Sequence, residues 1–221
     1  MDTEKLFACI DHTALKAYTS WEDIRKLCGE AVRYRMASVC IPACYIRRAH
    51  EEFPELCICT VVGFPLGYSQ TEGKLAETRQ ALLDGASEID MVINVCDVKN
   101  KDYAKVREEI AAVKKTVKDK ILKVIAETCY LKEEEKTAVC RAVTEAGADY
   151  IKTSTGFGTA GAVLADIRLM KENIGPNVKI KAAGGIKSRE EMEAFLSEGC
   201  SRIGTSSALS MLLPDGKEER P

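Results

Sequence analysis

The sequence predicts an α/β protein built as one closed (β/α)8 barrel, the TIM barrel. Two observations favour this fold: eight short apolar runs alternate with helical patterns, and the glycine fingerprint of an open dinucleotide-binding sheet is missing. The chain has 221 residues, which suits one such barrel and is too short for two comfortable domains. We therefore expect a single domain over residues 1–221, with a short mobile tail from about residue 214.

The predicted strands are rich in valine and isoleucine, and their apolar runs are nearly continuous rather than alternating. Such runs are typical of parallel strands that are covered on both faces. In chain order the predicted strands are Ala8–Thr13, Ala37–Ile41, Leu56–Gly63, Glu88–Asn94, Ile121–Thr128, Asp149–Thr153, Val178–Ala182 and Arg202–Thr205.

Three of the intervening segments carry clear helical signals. One segment begins at Ser188, with Glu191 three residues later at the spacing of a capping box. Another opens with Glu133-Glu134-Glu135, whose negative charges stabilise the positive, N-terminal end of a helix dipole. The third repeats apolar residues on one helix face, at Tyr103, Val106, Ile110, Val113 and Val117.

Composition gives no electrostatic reason to expect nucleic acid or a membrane as partner. Hydrophobic residues make up 46% and charged residues 30%, with a net charge of −2. The first residues, Met1-Asp2-Thr3-Glu4-Lys5, lack the basic region and apolar run of a signal peptide, and no apolar run is long enough to span a membrane. We expect a cytoplasmic protein.

Cysteine is abundant, with ten residues. The closest pairs, Cys40 with Cys44 and Cys57 with Cys59, do not have the C-x2-C spacing of zinc sites, and the chain has only two histidines. We therefore expect no bound metal, and most cysteines are predicted to be small buried hydrophobic residues. So many thiols without a small disulfide scaffold indicate a reducing compartment.

Two lysines occupy unusual positions, because active-site groups of a barrel gather at the carboxyl ends of its strands. Lys152 and Lys181 each fall late in a predicted strand, where an unpaired ammonium is costly to bury. Lys179 lies at a strand entrance, where a solvated side chain is expected. One interpretation pairs Lys152 and Lys181 with carboxylates at the barrel rim, and the other gives them a chemical role.

Two lysines in one pocket have a specific chemical use. Only a neutral amine attacks a carbonyl, and a free lysine, with a pKa of about 10.4, is almost fully charged at neutral pH. Burial and a neighbouring cation both disfavour the charged form. We predict that Lys152 is a covalent nucleophile and that Lys181 is the cation that disfavours its charged form.

An acid lies inside an apolar predicted strand, at Asp90. Ion pairing with a barrel lysine would explain this position, and so would a role in moving protons. Both interpretations can hold, since a proton shuttle needs such a pair.

Glycines follow the last three predicted strands and indicate an anion site. Backbone N–H groups approach an anion most closely where side chains are absent, and barrels often bind phosphate after strands seven and eight. A short helix predicted to begin near Ser206 would add its positive end. The predicted phosphate-binding glycines are Gly156, Gly184, Gly185 and Gly204.

Several motifs together resemble those of one enzyme family. The two most specific ones are Lys-Thr-Ser-Thr-Gly from Lys152 and Lys-x-Ala-Gly-Gly from Lys181, in that order and spacing. The others are Ile10-Asp11-His12-Thr13, Val39-Cys40-Ile41-Pro42, Val62-Gly63-Phe64-Pro65-Leu66-Gly67, Glu88-Ile89-Asp90-Met91-Val92-Ile93-Asn94, Lys123-Val124-Ile125-Ala126-Glu127-Thr128 and Arg202-Ile203-Gly204-Thr205-Ser206-Ser207. Along almost the whole chain, the sequence resembles the deoxyribose-phosphate aldolase family.

The resemblance implies a class I lyase without metal or cofactor. Its reaction would be the reversible cleavage of 2-deoxy-D-ribose 5-phosphate to acetaldehyde and D-glyceraldehyde 3-phosphate, in deoxyribose phosphate catabolism. Lys152 would form the Schiff base, and Lys181 and Asp90 would donate and accept protons. The glycine loops, with Ser206 and Ser207, would hold the phosphate.

Four further residues fall at or near strand ends, and we expect them to line the substrate pocket: Asp11, Thr13, Cys40 and Thr153. Cys40 is either a packing thiol or an exposed nucleophile that reactive aldehydes modify. Because dimers are common in the family, the resemblance also implies a homodimer or a higher homo-oligomer.

One departure from the family pattern concerns the C-terminus. Some members end in a tyrosine thought to help proton transfer, whereas this sequence ends in Glu219-Arg220-Pro221. Three alternatives remain open for the function: another class I sugar-phosphate aldolase, a non-covalent isomerase that uses Asp90 and Lys181, and a barrel that only binds a phosphorylated metabolite.

Overall fold

The computed structural model describes residues 1–213, and it shows eight parallel strands closed into a barrel. Each strand pairs with the next one along the chain, and the last pairs with the first. The strands are β1 (Ile10–Thr13), β2 (Ser38–Ile41), β3 (Ile58–Val62), β4 (Glu88–Val92), β5 (Ile121–Ile125), β6 (Tyr150–Lys152), β7 (Lys179–Ala183) and β8 (Arg202–Thr205). The predicted (β/α)8 barrel is confirmed.

The predicted strands are all present, and most are shorter than predicted. The fifth was predicted to reach Thr128, but β5 ends at Ile125, because the chain turns away at Glu127, whose backbone is left-handed with a φ of 51°. Strand β7 extends one residue further than predicted, to Ala183. The tail predicted from about residue 214 lies outside the described residues.

Helices connect the strands and cover the outside of the barrel. They are α1 (Thr3–Phe7), α2 (Trp21–Arg33), α3 (Ile46–Glu52), α4 (Thr71–Leu83), α5 (Val95–Lys99), α6 (Tyr103–Val117), α7 (Glu133–Glu145), α8 (Leu164–Asn173), α9 (Arg189–Glu198) and α10 (Ala208–Leu212). Among residues 1–213, none of these helices is long and apolar enough to cross a membrane.

The three helical signals in the sequence correspond to α6, α7 and α9. The apolar pattern from Tyr103 to Val117 has the bounds of α6. At α9, the Ser188 hydroxyl accepts the N–H of Glu191, as predicted. The Glu191 carboxylate accepts the N–H of Lys187, so only one half of the predicted capping box is present.

Apolar and charged residues alternate along the strands, whereas the sequence predicts nearly continuous apolar runs. In β4, Ile89 and Met91 belong to the apolar core, whereas Glu88 and Asp90 contact charged groups of other strands. Six strands contribute charged residues to these contacts, which is possible only inside the barrel. The outward faces of these strands are therefore mostly apolar, with His12 of β1 paired to Glu30 of α2 as an exception, and the barrel interior is ionic, unlike the branched aliphatic filling of many barrels.

Candidate active site

Three lysines converge on one buried carboxylate at the centre of the barrel. Asp90 Oδ2 accepts hydrogen bonds from Lys152 Nζ at 2.7 Å and from Lys181 Nζ at 2.8 Å. Asp90 Oδ1 accepts a third, from Lys123 Nζ at 2.8 Å. Lys152 and Lys181 are register partners on neighbouring strands, so the barrel sets their side chains next to each other. The three residues predicted to be catalytic are thus in direct contact.

Two further carboxylates and an arginine extend this ion cluster. Asp11 Oδ2 lies 2.5 Å from Lys181 Nζ, as an ion pair without hydrogen-bond geometry. Glu88 lies 2.6 Å from Lys123 Nζ, and Arg202 pairs with both Asp11 and Glu88. The cluster therefore contains four cations and three carboxylates, and this mutual pairing is what allows charges to occupy a barrel interior.

The pairing sets the protonation states of the two central groups. Burial alone would raise the pKa of Asp90, but Lys123, Lys152 and Lys181 outweigh burial and hold that pKa well below its usual range. Burial likewise disfavours the charged form of Lys181, yet attraction by Asp11 and Asp90 raises its pKa above the usual value. At neutral pH Asp90 is a carboxylate and Lys181 an ammonium.

A cavity of about 790 Å³ opens above the cluster, at the carboxyl ends of the strands. Of the three lysines around Asp90, only Lys152 lines it. The exposed fraction is 3% for Lys152 and 0% for both Lys123 and Lys181. The predicted site residues that line the cavity are Lys152, Thr13, Gly156, Gly184, Gly185, Gly204, Ser206 and Ser207.

Three of the four predicted pocket residues lie below the cavity. Asp11 belongs to the ion cluster, and Cys40 is fully buried. The Thr153 hydroxyl donates to the Ala183 carbonyl and accepts the Ala183 N–H, and so joins β6 to β7. Only Thr13, the last residue of β1, is at the cavity wall.

The predicted phosphate loops pack backbone against backbone, which explains their glycines. Gly184 has a φ of 83°, and a Cβ there would lie 3.3 Å from the Cα atoms of Gly156 and Gly161. A Cβ on Gly161 would lie 2.1 Å from the Gly184 carbonyl oxygen. Gly204 has a different environment, since a Cβ there would lie 3.0 Å from Lys181 Cε. Gly204 therefore makes room for Lys181 within the barrel.

Two thiols lie beside Asp90. Cys59 Sγ donates to Asp90 Oδ1 at 3.1 Å and accepts from Lys123 Nζ at 3.3 Å, and Cys40 is the register partner of Cys59. Both Sγ atoms and an Asp90 oxygen lie within 4.8 Å of one another, the one set of atoms in residues 1–213 that is spaced to ligate a metal. A cation there would have to displace ammonium groups that already bind Asp90.

Comparison with known proteins assigns the chain to a family. The chain matches the family described as DeoC/LacD family aldolase over residues 5–211. The chain belongs to the DeoC/LacD aldolase family. It is 64% identical over 213 residues to a deoxyribose-phosphate aldolase of Clostridium botulinum (strain Alaska E43 / Type E3), with 96% of each chain covered. A deoxyribose-phosphate aldolase of Clostridioides difficile (strain 630) is 56% identical over 204 residues, covering 92% of this chain and 93% of the relative.

Solved aldolase structures have the same barrel. The structure described as QR15, an aldolase, superposes with a TM-score of 0.90 at 36% identity, covering 94% of each chain. A tetrameric deoxyribose phosphate aldolase from Aeropyrum pernix gives a TM-score of 0.88 at 30% identity, covering 96% of this chain and 91% of that one. The chain is therefore an enzyme, a lyase of the aldolase type.

Several charged groups of this aldolase site escaped prediction from the sequence. Lys123 and Arg202 lie in β5 and β8, and a charge inside each predicted strand was the signal that could have found them. Lys187 lines the cavity two residues after the glycines of the β7 loop. The predicted helix near Ser206 begins at Ala208 and has 5 residues, so its dipole is weaker than expected.

Replacing Lys123 by methionine should destabilise the protein. The change removes an ammonium that contacts Asp11, Glu88 and Asp90, and the uncompensated buried charge should lower the free energy of unfolding by about 3–5 kcal/mol. Urea unfolding followed by circular dichroism measures the loss. Lys179→Met, at the exposed start of β7, is the matched control and should stay within about 0.5 kcal/mol of wild type. Equal stability of the two variants would contradict the ion cluster.

Proposed function

We propose that this chain catalyses the reversible aldol cleavage of 2-deoxy-D-ribose 5-phosphate to acetaldehyde and D-glyceraldehyde 3-phosphate through a Schiff base on Lys152. The observation that carries the proposal is the position of Lys152 at the floor of the cavity. It is the one lysine of the three around Asp90 that a substrate carbonyl can reach. The names of the relatives indicate the substrate, and the site explains the chemistry.

Schiff-base formation needs a neutral amine beside an aldehyde. The 2.7 Å hydrogen bond from Lys152 Nζ to Asp90 Oδ2 is a path along which Lys152 can give up its proton. Lys181 donates to the same oxygen at 2.8 Å and remains cationic. Once Lys152 has given its proton to Asp90, the ion pair that holds the Lys152 side chain is lost. We infer that the neutral amine is then free to attack the aldehyde.

The remaining steps follow from the same three residues. The Lys152 amine attacks C1, Asp90 returns its proton to the hydroxyl that leaves as water, and the resulting iminium accepts the electrons of the C2–C3 bond. The proton of the C3 hydroxyl passes through a water molecule to Asp90, because Lys152 separates Asp90 from the cavity, and Lys181 exchanges protons through the oxygen that they share. Glyceraldehyde 3-phosphate leaves, the enamine is protonated at C2, and hydrolysis releases acetaldehyde from the lysine.

We propose that the phosphate of the substrate binds to the part of the cavity wall that the loops after β6, β7 and β8 form. Gly184 and Gly185 both have a positive φ, of 83° and 74°, a backbone conformation that residues with side chains rarely adopt. Lys187 lines the same wall and can add a positive charge. The complete proposed phosphate site consists of Gly156, Gly184, Gly185, Gly204, Ser206 and Ser207, with Lys187 in addition.

The alternatives fit the cavity less well. A non-covalent isomerase would need Asp90 and Lys181 at the substrate, but Lys152 lies between them and the cavity. A barrel that only binds a metabolite does not require an amine in contact with a proton acceptor, as Lys152 is with Asp90. Another class I sugar-phosphate aldolase would use the same residues, and only its products would distinguish it.

We further propose that the enzyme acts in the cytoplasm as a homo-oligomer, without a metal or cofactor. Ten free thiols suit a reducing compartment. The related aldolase from Aeropyrum pernix is tetrameric. The iminium can act as the electron sink for which other aldolases use a Lewis acid. A net charge of −2 gives no reason for nucleic-acid binding.

The proposal is tested by product analysis with 2-deoxy-D-ribose 5-phosphate. Wild type should release acetaldehyde and glyceraldehyde 3-phosphate, each measured by its own dehydrogenase-coupled assay. Lys152→Met should lower kcat by about a thousandfold or more, because it removes the nucleophile, whereas Lys179→Met should retain the wild-type rate. An isomerised sugar phosphate in place of two products, or full activity of Lys152→Met, would overturn the proposal.

Ser206→Asp should weaken binding of the phosphorylated substrate. A carboxylate at the proposed phosphate site repels the phosphate, and we expect KM to rise about tenfold while borohydride trapping of acetaldehyde stays unchanged. The matched control is Ser201→Asp, exposed at the other end of β8. The same KM in both variants would place the phosphate elsewhere.

A further inference from the structure

Cys40 and Cys59 form a pair of buried thiols that the proposed reaction does not use. They are register partners on β2 and β3, and both are fully buried. Their Sγ atoms lie within 4.8 Å of each other and of an Asp90 oxygen. Neighbouring strands run about 4.8 Å apart, which lies within the Cα separation of disulfides, about 4.4–6.8 Å. The pair can therefore be bridged without moving the strands far.

We propose that Cys40 and Cys59 are a modification site at which hydrogen peroxide closes a disulfide, and that this bond slows aldol cleavage by disturbing Asp90. The effect on cleavage rests on the proposed function. The disulfide itself rests only on the placement of the two thiols.

The two thiols are chemically unequal. The hydrogen bond with Cys59 lowers the pKa of Cys40 by more than burial raises it. Burial raises the pKa of Cys59 well above its usual value, and the hydrogen bond with Cys40 adds to the rise. This asymmetry makes Cys40 the nucleophile towards peroxide and Cys59 the resolving thiol.

The oxidation balances with peroxide as the oxidant. The Cys40 sulfur attacks one peroxide oxygen, the O–O bond breaks, and the thiol proton leaves with the other oxygen as water, giving a sulfenic acid. The Cys59 sulfur then attacks the Cys40 sulfur, the S–O bond breaks, and hydroxide leaves. Asp90 Oδ1, which already accepts the Cys59 thiol at 3.1 Å, carries the second proton to that hydroxide. Two thiols lose two electrons and two protons, and peroxide gains them.

Peroxide suits this location better than a charged reagent. It is small and uncharged, so the surrounding cations do not repel it. Cys40 Sγ lies within 4.8 Å of an Asp90 oxygen, and Asp90 Oδ2 accepts the hydrogen bond of Lys152, which lines the cavity, at 2.7 Å. A molecule that reaches Lys152 is therefore near Cys40.

The disulfide would change the hydrogen bonding of Asp90. In the reduced chain, Asp90 Oδ1 accepts from the Cys59 thiol and from Lys123 Nζ. The disulfide has no S–H, and its formation draws the Cys59 sulfur towards Cys40. Because a hydrogen bond to a charged group stabilises the charge, its loss should lower kcat about tenfold.

The test uses enzyme in which the exposed Cys44 and Cys96 are replaced by serine, so that surface oxidation does not interfere. After peroxide treatment, free thiols are blocked, and non-reduced peptides are mapped by mass spectrometry. We expect linked peptides that contain Cys40 and Cys59, with a roughly tenfold fall in kcat that dithiothreitol reverses. Cys59→Ser, which keeps a hydroxyl near Asp90 but cannot form the bond, should show no reversible loss relative to its own untreated rate.

Each outcome bears on a separate part of the proposal. Unlinked Cys40 and Cys59 after treatment, or Cys40 present only as sulfinic acid, would overturn the disulfide. Linked peptides with unchanged kcat would overturn the effect on Asp90. Untreated enzyme without aldol cleavage would contradict the proposed function, while the peptide map would still decide whether the disulfide forms.

Discussion

The carboxylate of Asp90 is the interaction on which the centre of this barrel depends. It accepts hydrogen bonds from three ammonium groups and a thiol, which come from four other strands. Burying three lysines so close together would be strongly unfavourable without it, because like charges repel and buried charges must be compensated. The same contacts that stabilise the ionic interior also hold the Lys152 amine beside a proton acceptor, so Asp90 contributes to the stability of the barrel and to the proposed chemistry.

Depth in the barrel, rather than residue type, distinguishes Lys152, the proposed nucleophile, from the other two lysines around Asp90. Lys123, Lys152 and Lys181 all contact Asp90, yet only Lys152 lines the cavity. Strand register sets Lys152 beside Lys181, and the missing side chain of Gly204 leaves space for Lys181 to stay below. Lys123 and Lys181 can then contribute positive charge near Lys152 without contacting the substrate.

Much of this arrangement was predictable from the sequence. The order of apolar runs gives the barrel, and a charge inside such a run marks Asp90, Lys152 and Lys181, because unpaired buried charges are rare. The same signal was present at Lys123 and Arg202, but which charges pair with which was not predictable, since strand register and tilt decide which charges meet. For the same reason Thr13 and Thr153 were expected together at the pocket, but one lines the cavity and the other joins two strands.

The claim that Lys152 forms the Schiff base is tested most directly by intact mass after borohydride reduction with acetaldehyde, on wild type and on Lys152→Ala. The prediction is one reduced acetaldehyde adduct per chain in wild type, mapped to Lys152, and none in the variant. An adduct that persists in Lys152→Ala would assign the nucleophile to another lysine, with Lys181 the first to examine. No adduct on wild type would contradict the covalent mechanism itself.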